Sequence, residues 1–412
     1  MLTNKNIVLG VTGGIAAYKA ADLASKLSQA GASVRVIMTE SAREFVTPLT
    51  FEAITTSAVI TDMFQADAAH RINHISLAET ADIIVVAPAT ANIIAKIANG
   101  IADDMLTTTI LATRAPVIIA PAMHTGMWEN RITRENTARL KDRGIYIIEP
   151  ATGRLASGGY GPGRFQDTEI IIGYLKKVLG KTGDLAGKRL VVSAGGTQEP
   201  IDPVRIISNR SSGKMGYALA EAARDRGADV TLITTPTAIT RPVGMEIIPV
   251  ETAVQMKEAV DKAVSRADVL IMAAAVADYQ AANIAGQKIK KESGSLSLEM
   301  VPTPDILSEA KGNFIKVGFA AESQDLIANA RKKVEKKKLD LIVANDITGE
   351  NSGFGSDTNK VVFIGRDGMP EELPVMDKRA LADRILDRVV SLLSGKAGQS
   401  CRTAGKPDVP PV

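Results

Sequence analysis

Cysteine is nearly absent from this 412-residue chain. The single Cys401 can form neither an intramolecular disulfide nor a multi-cysteine metal site, which excludes a disulfide-stapled scaffold and fits a reducing compartment. Histidine is almost as scarce. His70, His74 and His124 are the whole set, all in the first half, and without cysteine pairs or clustered histidines no zinc site is expected. An excess of one charge is also missing. Lys plus Arg number 49 against 46 Asp plus Glu, for a net charge of +3, so no whole-protein field draws the chain to nucleic acid or membrane and any basic site is local. Long hydrophobic runs are missing too: stretches such as 269–277 fall well short of the roughly 18 residues a membrane span needs. The opening MLTNKNIVLGV shows no signal-peptide h-region, and a cytoplasmic protein is expected. Two nucleotide signatures do not occur. G-x-G-x-x-G is absent, and SSGKMG fails as a P-loop because Ser208 stands five before Gly213 and Met215 follows the lysine.

What is present is internal repetition. At about 150 residues per domain the length suggests two or three domains. Residues 5–39 read as an apolar run, the glycine pair Gly13 and Gly14, an Ala-rich helix, a Gly-Ala break and a second apolar run. Residues 188–235 repeat this order with Gly195, Gly196 and a helix from about Lys214. ADIIVVAPATAN at 81–92 is echoed by ADVLIMAAAVAD at 267–278. Short apolar runs alternating with helical patterns imply parallel strands covered on both faces, hence α/β with two doubly wound Rossmann-like domains and mostly parallel sheets. The Gly-rich, charged segment 181–189 reads as a linker between domains at 1–180 and 190–394. Residues 395–412, rich in Gly, Pro and polar side chains, read as a disordered tail.

In such folds ligands sit beyond the carboxyl ends of the strands, which directs attention to the segments after each apolar run. GVTGGIAAYK admits an anion at a helix start, or is a plain tight turn. APATAN offers small polar groups, or a helix cap at Thr90 or Asn92. PAMHTGMW sets His124 beside two Met and the only Trp, a group that could also be core. His74 begins a probable helix and is a candidate base. The five Gly and one Pro in ATGRLASGGYGPGR (151–164) read as a mobile loop that no regular element would tolerate. In the second half Asn209, Ser211, Ser212 and Lys214 precede a helix, Asp278 follows a strand, and Lys288, Lys290 and Lys291 cluster after it. Lys333 and Lys337, at i and i+4 on one helix face, could hold a polyphosphate or simply be solvated.

The ordered set TGGIAAYK, HISL, APATAN, PAMHTGMW, GPGR, GGTQEPIDPVRIISNRSSGKMG, AAAVADY, KIKK, TPDI and GFAAE resembles the bacterial family in which phosphopantothenoylcysteine decarboxylase is fused to phosphopantothenate-cysteine ligase in coenzyme A biosynthesis. The resemblance implies a flavodoxin-like first domain that binds FMN through Gly13, Gly14, Ile15, Thr39, Ala87, Pro88, Ala89, Thr90, Asn92 and Met123. There the thiol of 4'-phospho-N-pantothenoyl-L-cysteine is oxidised to a thioaldehyde, carbon dioxide is lost, and the ene-thiolate is reduced again to give 4'-phosphopantetheine. His74 is then the base, often facing the flavin of a neighbouring subunit. Two positions depart from the family pattern: His124 replaces an Asn that binds the substrate carboxylate, and Ser157 replaces a flap Cys that protonates the ene-thiolate.

For the second domain the resemblance implies CTP-dependent ligation of L-cysteine to 4'-phosphopantothenate through an acyl-cytidylate. Asn209 would sit at that intermediate. Met272, Ala273, Ala274, Asp278, Lys288, Pro304, Asp305, Ile306, Leu307, Phe319, Lys333 and Lys337 would surround CTP, with Mg2+ bridging phosphates and Asp278 as its protein contact. A homo-oligomer is implied, built from trimers of the flavin domain and dimers of the ligase domain into a dodecamer. Ser157 and His124 motivate an alternative in which only the ligase works and the flavin domain is an oligomerisation or regulatory module. A nicotinamide oxidoreductase would follow from the βαβ units alone, and the absent fingerprint argues against it.

Overall fold

Strands buried along nearly their whole length build the first sheet. The strands β1 (Asn6–Val11), β2 (Ser33–Met38), β3 (Ile83–Ala89), β4 (Val117–Pro121) and β5 (Tyr146–Ile147) pair in parallel in the order β2-β1-β3-β4-β5. β3 is buried at every position, because helices cover both faces and each face has its own apolar cluster. The helix Ala17–Gln29 buries Ala20, Leu23, Ala24 and Leu27 at helical spacing. An antiparallel ribbon of β6 (Ala151–Arg154) and β7 (Tyr160–Arg164) follows. This is the flavodoxin-like order, whose ligand crevice opens where β1 and β3 part.

In this computed structural model the described residues are 2–63, 74–291, 295–322, 325–346 and 356–403. They divide into two compact units, Met1–Leu179 and Gly180–Val412. The second unit contains β8 (Arg189–Ala194), β9 (Gln198–Pro200), β10 (Ile206–Ser208), β11 (Asp229–Thr234), β12 (Glu246–Pro249), β13 (Val269–Met272), β14 (Tyr279–Ala281), β15 (Met300–Pro302), β16 (Ile315–Glu322), β17 (Leu341–Asp346), β18 (Thr358–Asn359), β19 (Val361–Gly365), β20 (Pro370–Glu372) and β21 (Met376–Asp377). Its main sheet runs β12-β11-β8-β13-β16-β17-β19-β20, parallel through β17 and antiparallel at the β19 and β20 edge. The parallel part has the Rossmann order, with the switch point between β8 and β13. The pairs β9-β10, β14-β15 and β18-β21 are small antiparallel ribbons beside it.

Three expectations are corrected. Residues 181–189 do not form a free connector: Leu185 is fully buried in the second core, its N–H bonds to Arg226 O at 3.1 Å, and Arg226 also pairs with Asp184. The segment 151–164 is a regular ribbon, since its glycines permit close packing that a longer side chain would block. The tail is helical well past 394, because the helix Lys378–Thr403 is nucleated by the buried Leu381, Ala382, Ile385, Leu386 and Val389. Extending a formed helix through Gly395 costs about 1 kcal/mol at that residue, far less than starting one. Cys401 lies in this helix, and 404–412 lie outside the described residues.

Candidate active sites

The first site opens beyond β1, β3 and β4. Gly13 is required by contact: a Cβ there would lie 2.3 Å from Ser41 Cβ. Gly14 faces open space, with Thr90 Cγ2 the nearest neighbour at 3.8 Å. Beyond them the helix Ala17–Gln29 begins with neither a side-chain cap nor an acidic first turn; Ala17 N–H and Lys19 N–H bond back to Gly14 O and Ala16 O, and the positive dipole end stays available to an anion. Thr12 Oγ1 donates to Pro88 O at 2.7 Å and accepts from Thr90 N–H at 3.1 Å, locking the two strand ends together. Thr90 also caps the helix Ala91–Asn99 by accepting from Ile93 N–H. Here the cap and the site are the same residue.

A cavity of about 580 Å³ results, lined by Gly13, Gly14, Ile15, Pro88, Thr90, Met123, His124 and Ser157, and also by Tyr18, Lys19, Met127, Arg154, Leu155, Arg164 and Phe165. Ala87 and Ala89 point instead into the core, and Asn92 is exposed outside the cavity. Thr39 is not in its wall either. It precedes the short helix Glu40–Arg43 and borders a separate polar hollow with Asp62 and Asp104, its Oγ1 buried without a partner. His74 begins the helix His74–Thr80 and does not line the cavity. His70 lies outside the described residues.

The ribbon β6-β7 forms the outer wall. Met123 N–H donates to Gly163 O at 2.9 Å and Thr125 Oγ1 donates to Pro162 O at 2.7 Å. Gly163 has φ +126°, and a Cβ there would lie 2.3 Å from Met123 O; one on Gly161 would lie 2.5 Å from Thr125 Oγ1. The glycines of GPGR therefore let β7 press onto the segment carrying His124, while the tip presents Ser157. His124 Nδ1 accepts from Gly126 N–H at 3.1 Å, so in the neutral ring the proton sits on Nε2, leaving one donor for a ligand. Trp128 is core, with the Arg134 guanidinium 4.8 Å from its ring centroid.

The second site lies at the β8/β13 switch point. Gly195 (φ +87°) is held against Thr235, and a Cβ on it would lie 2.0 Å from Thr235 Oγ1. Gly213 (φ +79°) approaches Gly195 N, and Gly216 packs its Cα on Ser193 O and Ala194. Tight turn, close approach and helix-strand packing are the three jobs of a dinucleotide fingerprint. They are done here by glycines that the β9-β10 ribbon separates in sequence. The helix Lys214–Asp225 again starts with no side-chain cap and no acidic first turn.

The crevice in front is lined by Ser211, Ser212, Lys214, Ala273, Ala274 and Phe319, and by Asn345, Asn359 and Lys378. Lys214 pairs with Asp357 at 2.6 Å, and Lys378 Nζ donates to Ser356 O. Burial, with Lys214 beside it, pushes the Lys378 amine below its ordinary range despite Asp357 nearby. Asn345 Oδ1 and Asn359 Oδ1 are buried without partners. Asn345 follows the same strand-end rule as the other segments, whereas nothing in MDKR singles out Lys378.

The other expected nucleotide residues divide. Met272 is buried at the end of β13, and Ile306 and Leu307 put their side chains into the core, so they hold backbone in place and do not line the crevice. Asp278 and Lys288 are exposed in loops. Thr303 N–H donates to Asp278 O at 3.0 Å, which brings Asp278 beside Pro304 and Asp305. Lys337 Nζ donates to Asp305 Oδ1 at 2.9 Å. Burial raises the Asp305 carboxyl, but the bonds from Lys337 and Ser308 outweigh it and leave it below its ordinary value. Lys333 stands one turn earlier on the helix Leu326–Lys337. Asn209 Nδ2 donates to both Ala275 O and Val276 O at 3.1 Å, tying the β10 end to the β13 end. Among the described residues no group of three or more His, Cys, Asp or Glu could hold a metal, and no helix is long and apolar enough to cross a membrane.

Comparison with known proteins follows the same division. Residues 1–180 match the family described as Flavoprotein, and 185–393 match the DNA/pantothenate metabolism flavoprotein C-terminal domain. The chain is 49% identical to the coenzyme A biosynthesis bifunctional protein CoaBC of Bacillus subtilis over 95% of this chain and 98% of that one. It is 45% identical to the protein of that name from Mycobacterium tuberculosis, over 95% and 97%. Among solved structures, the C-terminal domain of a CoaBC protein is 38% identical with a TM-score of 0.45, covering 52% of this chain and 99% of that domain. The chain therefore belongs to the family of bifunctional coenzyme A biosynthesis proteins, with a flavoprotein half followed by a ligase half.

Proposed function

We propose that domain 190–394 joins L-cysteine to 4'-phosphopantothenate at the expense of CTP, and that domain 1–180 then decarboxylates 4'-phospho-N-pantothenoyl-L-cysteine with FMN to 4'-phosphopantetheine. The observation that carries the reading is the cavity at the β1/β3 switch point, an uncapped helix start and the cations Lys19, Arg154 and Arg164 around an apolar wall of Ile15, Tyr18, Met123 and Phe165. That donor set fits FMN and an anionic substrate. The helix start and Thr90 suit a phosphate, and Gly14, Ile15, Pro88 and Met123 suit a flat ring. When bound, FMN supplies the two-electron chemistry that makes the carboxylate labile.

The chain's own residues bind and orient. His124, donating from Nε2, takes the substrate carboxylate where relatives of this family use Asn. Ser157 closes the tip. Its hydroxyl is a far weaker acid than a thiol of pKa about 8.5, so it holds substrate and does not supply the proton. His74, outside this cavity, serves as base toward the cavity of a second copy, which makes a homo-oligomer, trimeric through the flavin domain and dimeric through the ligase domain, part of the proposal.

In the ligase half the phosphopantothenate carboxylate attacks the α-phosphorus, pyrophosphate leaves, the cysteine amine attacks the acyl carbon and CMP leaves. Such chemistry needs cations and positioning more than a protein nucleophile. Lys214, Lys378 and the start of the helix Lys214–Asp225 supply them in the crevice, with Lys288, Lys333 and Lys337 proposed as further cations for the triphosphate and Asn209 at the acyl-cytidylate. Mg2+ would neutralise the triphosphate, held mainly by its oxygens, with Asp278 the carboxylate in reach.

One incubation with 4'-phosphopantothenate, cysteine, CTP and Mg2+ tests both halves. CMP, carbon dioxide and 4'-phosphopantetheine are expected. No CMP removes the ligase assignment, and accumulation of the carboxylated intermediate removes the decarboxylase assignment. His74→Asn should stop decarboxylation and spare ligation, and Lys288→Gln the reverse.

A further inference from the structure

Asp202 is a carboxylate with no place in either reaction above, yet it is 2% exposed and fully used. Oδ1 accepts the N–H groups of Val204 and Arg205, each at 2.8 Å, and Oδ2 accepts Arg205 Nη1 at 3.0 Å and the Ile289 N–H at 3.1 Å. The first three bonds close the turn that leads into β10 and on to Asn209. The fourth reaches across to the loop after β14, at the residue next to Lys288. A parallel backbone bond joins Ala285 N–H to Ile201 O at 3.0 Å. Burial by itself raises the carboxyl, but the N–H groups of Val204, Ile289 and Arg205 and the Arg205 charge hold it below its ordinary value.

A surface turn does not need such a group, because water satisfies its amides. What the carboxylate adds is a fixed distance between the two loops, alongside the Ala285-Ile201 bond. Lys288 itself is exposed. We propose that Asp202 is a positioning residue of the ligation site, fixing the loop that carries Lys288 against the ribbon that carries Asn209. The proposal rests on the ligase role given to Lys288 in the preceding subsection.

The test uses the full chain and the variants Asp202→Asn, Lys288→Gln, their double variant, and Ile289→Pro. Asn presents an NH2 where one oxygen accepted two donors. Proline removes the Ile289 N–H that reaches Asp202 while leaving Asp202 and the Ala285-Ile201 bond intact. Asp202→Asn is expected to lower the ligation kcat by about 10- to 100-fold, the range that misplacing a reacting group by about 1 Å produces. Decarboxylation of supplied 4'-phospho-N-pantothenoyl-L-cysteine should be unchanged. Read on the residual ligation at high enzyme concentration, the double variant should be no slower than Lys288→Gln alone, and Ile289→Pro should reproduce the Asp202→Asn loss. Losses that multiply, wild-type ligation by Asp202→Asn, or wild-type ligation by Ile289→Pro each overturn the proposal. Full activity in Lys288→Gln overturns the prior assignment of Lys288 instead, and is read independently. If Asp202→Asn does not fold, the cycle of Ile289→Pro with Lys288→Gln gives the same decision.

Discussion

Replacing Gly163 by Ala tests whether the β6-β7 ribbon holds the first cavity shut. The new Cβ would lie 2.3 Å from the carbonyl oxygen of Met123, a backbone atom that no rotamer change can move, at a φ of +126° that L side chains rarely adopt. Backbone strain of this kind costs about 1–3 kcal/mol, and losing the 2.9 Å bond from Met123 N–H to Gly163 O adds about 1 kcal/mol. The ribbon can escape by lifting off without unfolding the sheet, so a cost near 3 kcal/mol appears as a shift of about two orders of magnitude in the docked-to-open ratio. Decarboxylation kcat/KM should fall by a similar factor, and limited proteolysis at the tip, residues 155–159, should accelerate. Ligation and the melting of the second unit should stay as in the parent. Unchanged decarboxylation together with unchanged proteolysis would refute the reasoning, because it would mean the contact between β7 and the Met123 segment does not control the site.

Three further outcomes follow from other contacts. His124→Gln keeps a donor but loses the Nδ1 cap on Gly126, so KM for the carboxylated substrate should change more than kcat, and His124→Ala should lose both; equal effects of the two in steady-state kinetics would remove the donor role. Lys378 has its amine pushed below the usual lysine value, so between that lowered value and about 10.4 the unfolded chain binds more protons and stability rises with pH; relative to Lys378→Met, the parent should gain stability as pH climbs from 7 to 10, seen in urea midpoints, and parallel pH profiles would be the contrary result. Asp225 is 1% exposed and pairs with both Arg224, at 2.6 Å, and Arg379, at 3.0 Å. Asp225→Asn leaves the buried Arg224 guanidinium short of its counter-charge, whereas Arg379 keeps Asp383. The loss should destabilise the second unit by about 3 kcal/mol, while flavin retention should not change; a melting shift under two degrees would contradict it.

The parts of this molecule that could be read in advance are those set by local pattern. The apolar runs 83–89 and 269–272 became central strands because a strand covered on both faces has no polar position to spare. The strand-end rule then found Gly14, Pro88, Thr90, His124, Ala273, Ala274 and Phe319. What stayed hidden depends on alternation and on distant partners. Ala87 and Ala89 share a motif with Pro88 and Thr90 but are buried in the apolar clusters on the two faces of the sheet. Ile306 and Leu307 sit in a matching motif yet fill the core. Lys378 reaches its crevice from the start of the last long helix, which no spacing in the chain announces. The ribbon at 151–164 is invisible to a reading of glycine as a breaker, because what requires glycine there is the close approach of Met123 O and the Thr125 side chain.

The divided glycine cradle of the second unit has an outcome for how the site is assembled. Gly195 ends the first strand, while Gly213 and Gly216 arrive only after the whole β9-β10 ribbon has been laid down. The glycine cradle therefore has no independent existence as a local turn, and it is complete only when the ribbon closes a loop on β8. On the ligase function proposed above, nucleotide affinity includes the closure of that loop, and the amides of 198–208 should be the ones whose hydrogen exchange slows most on addition of CTP.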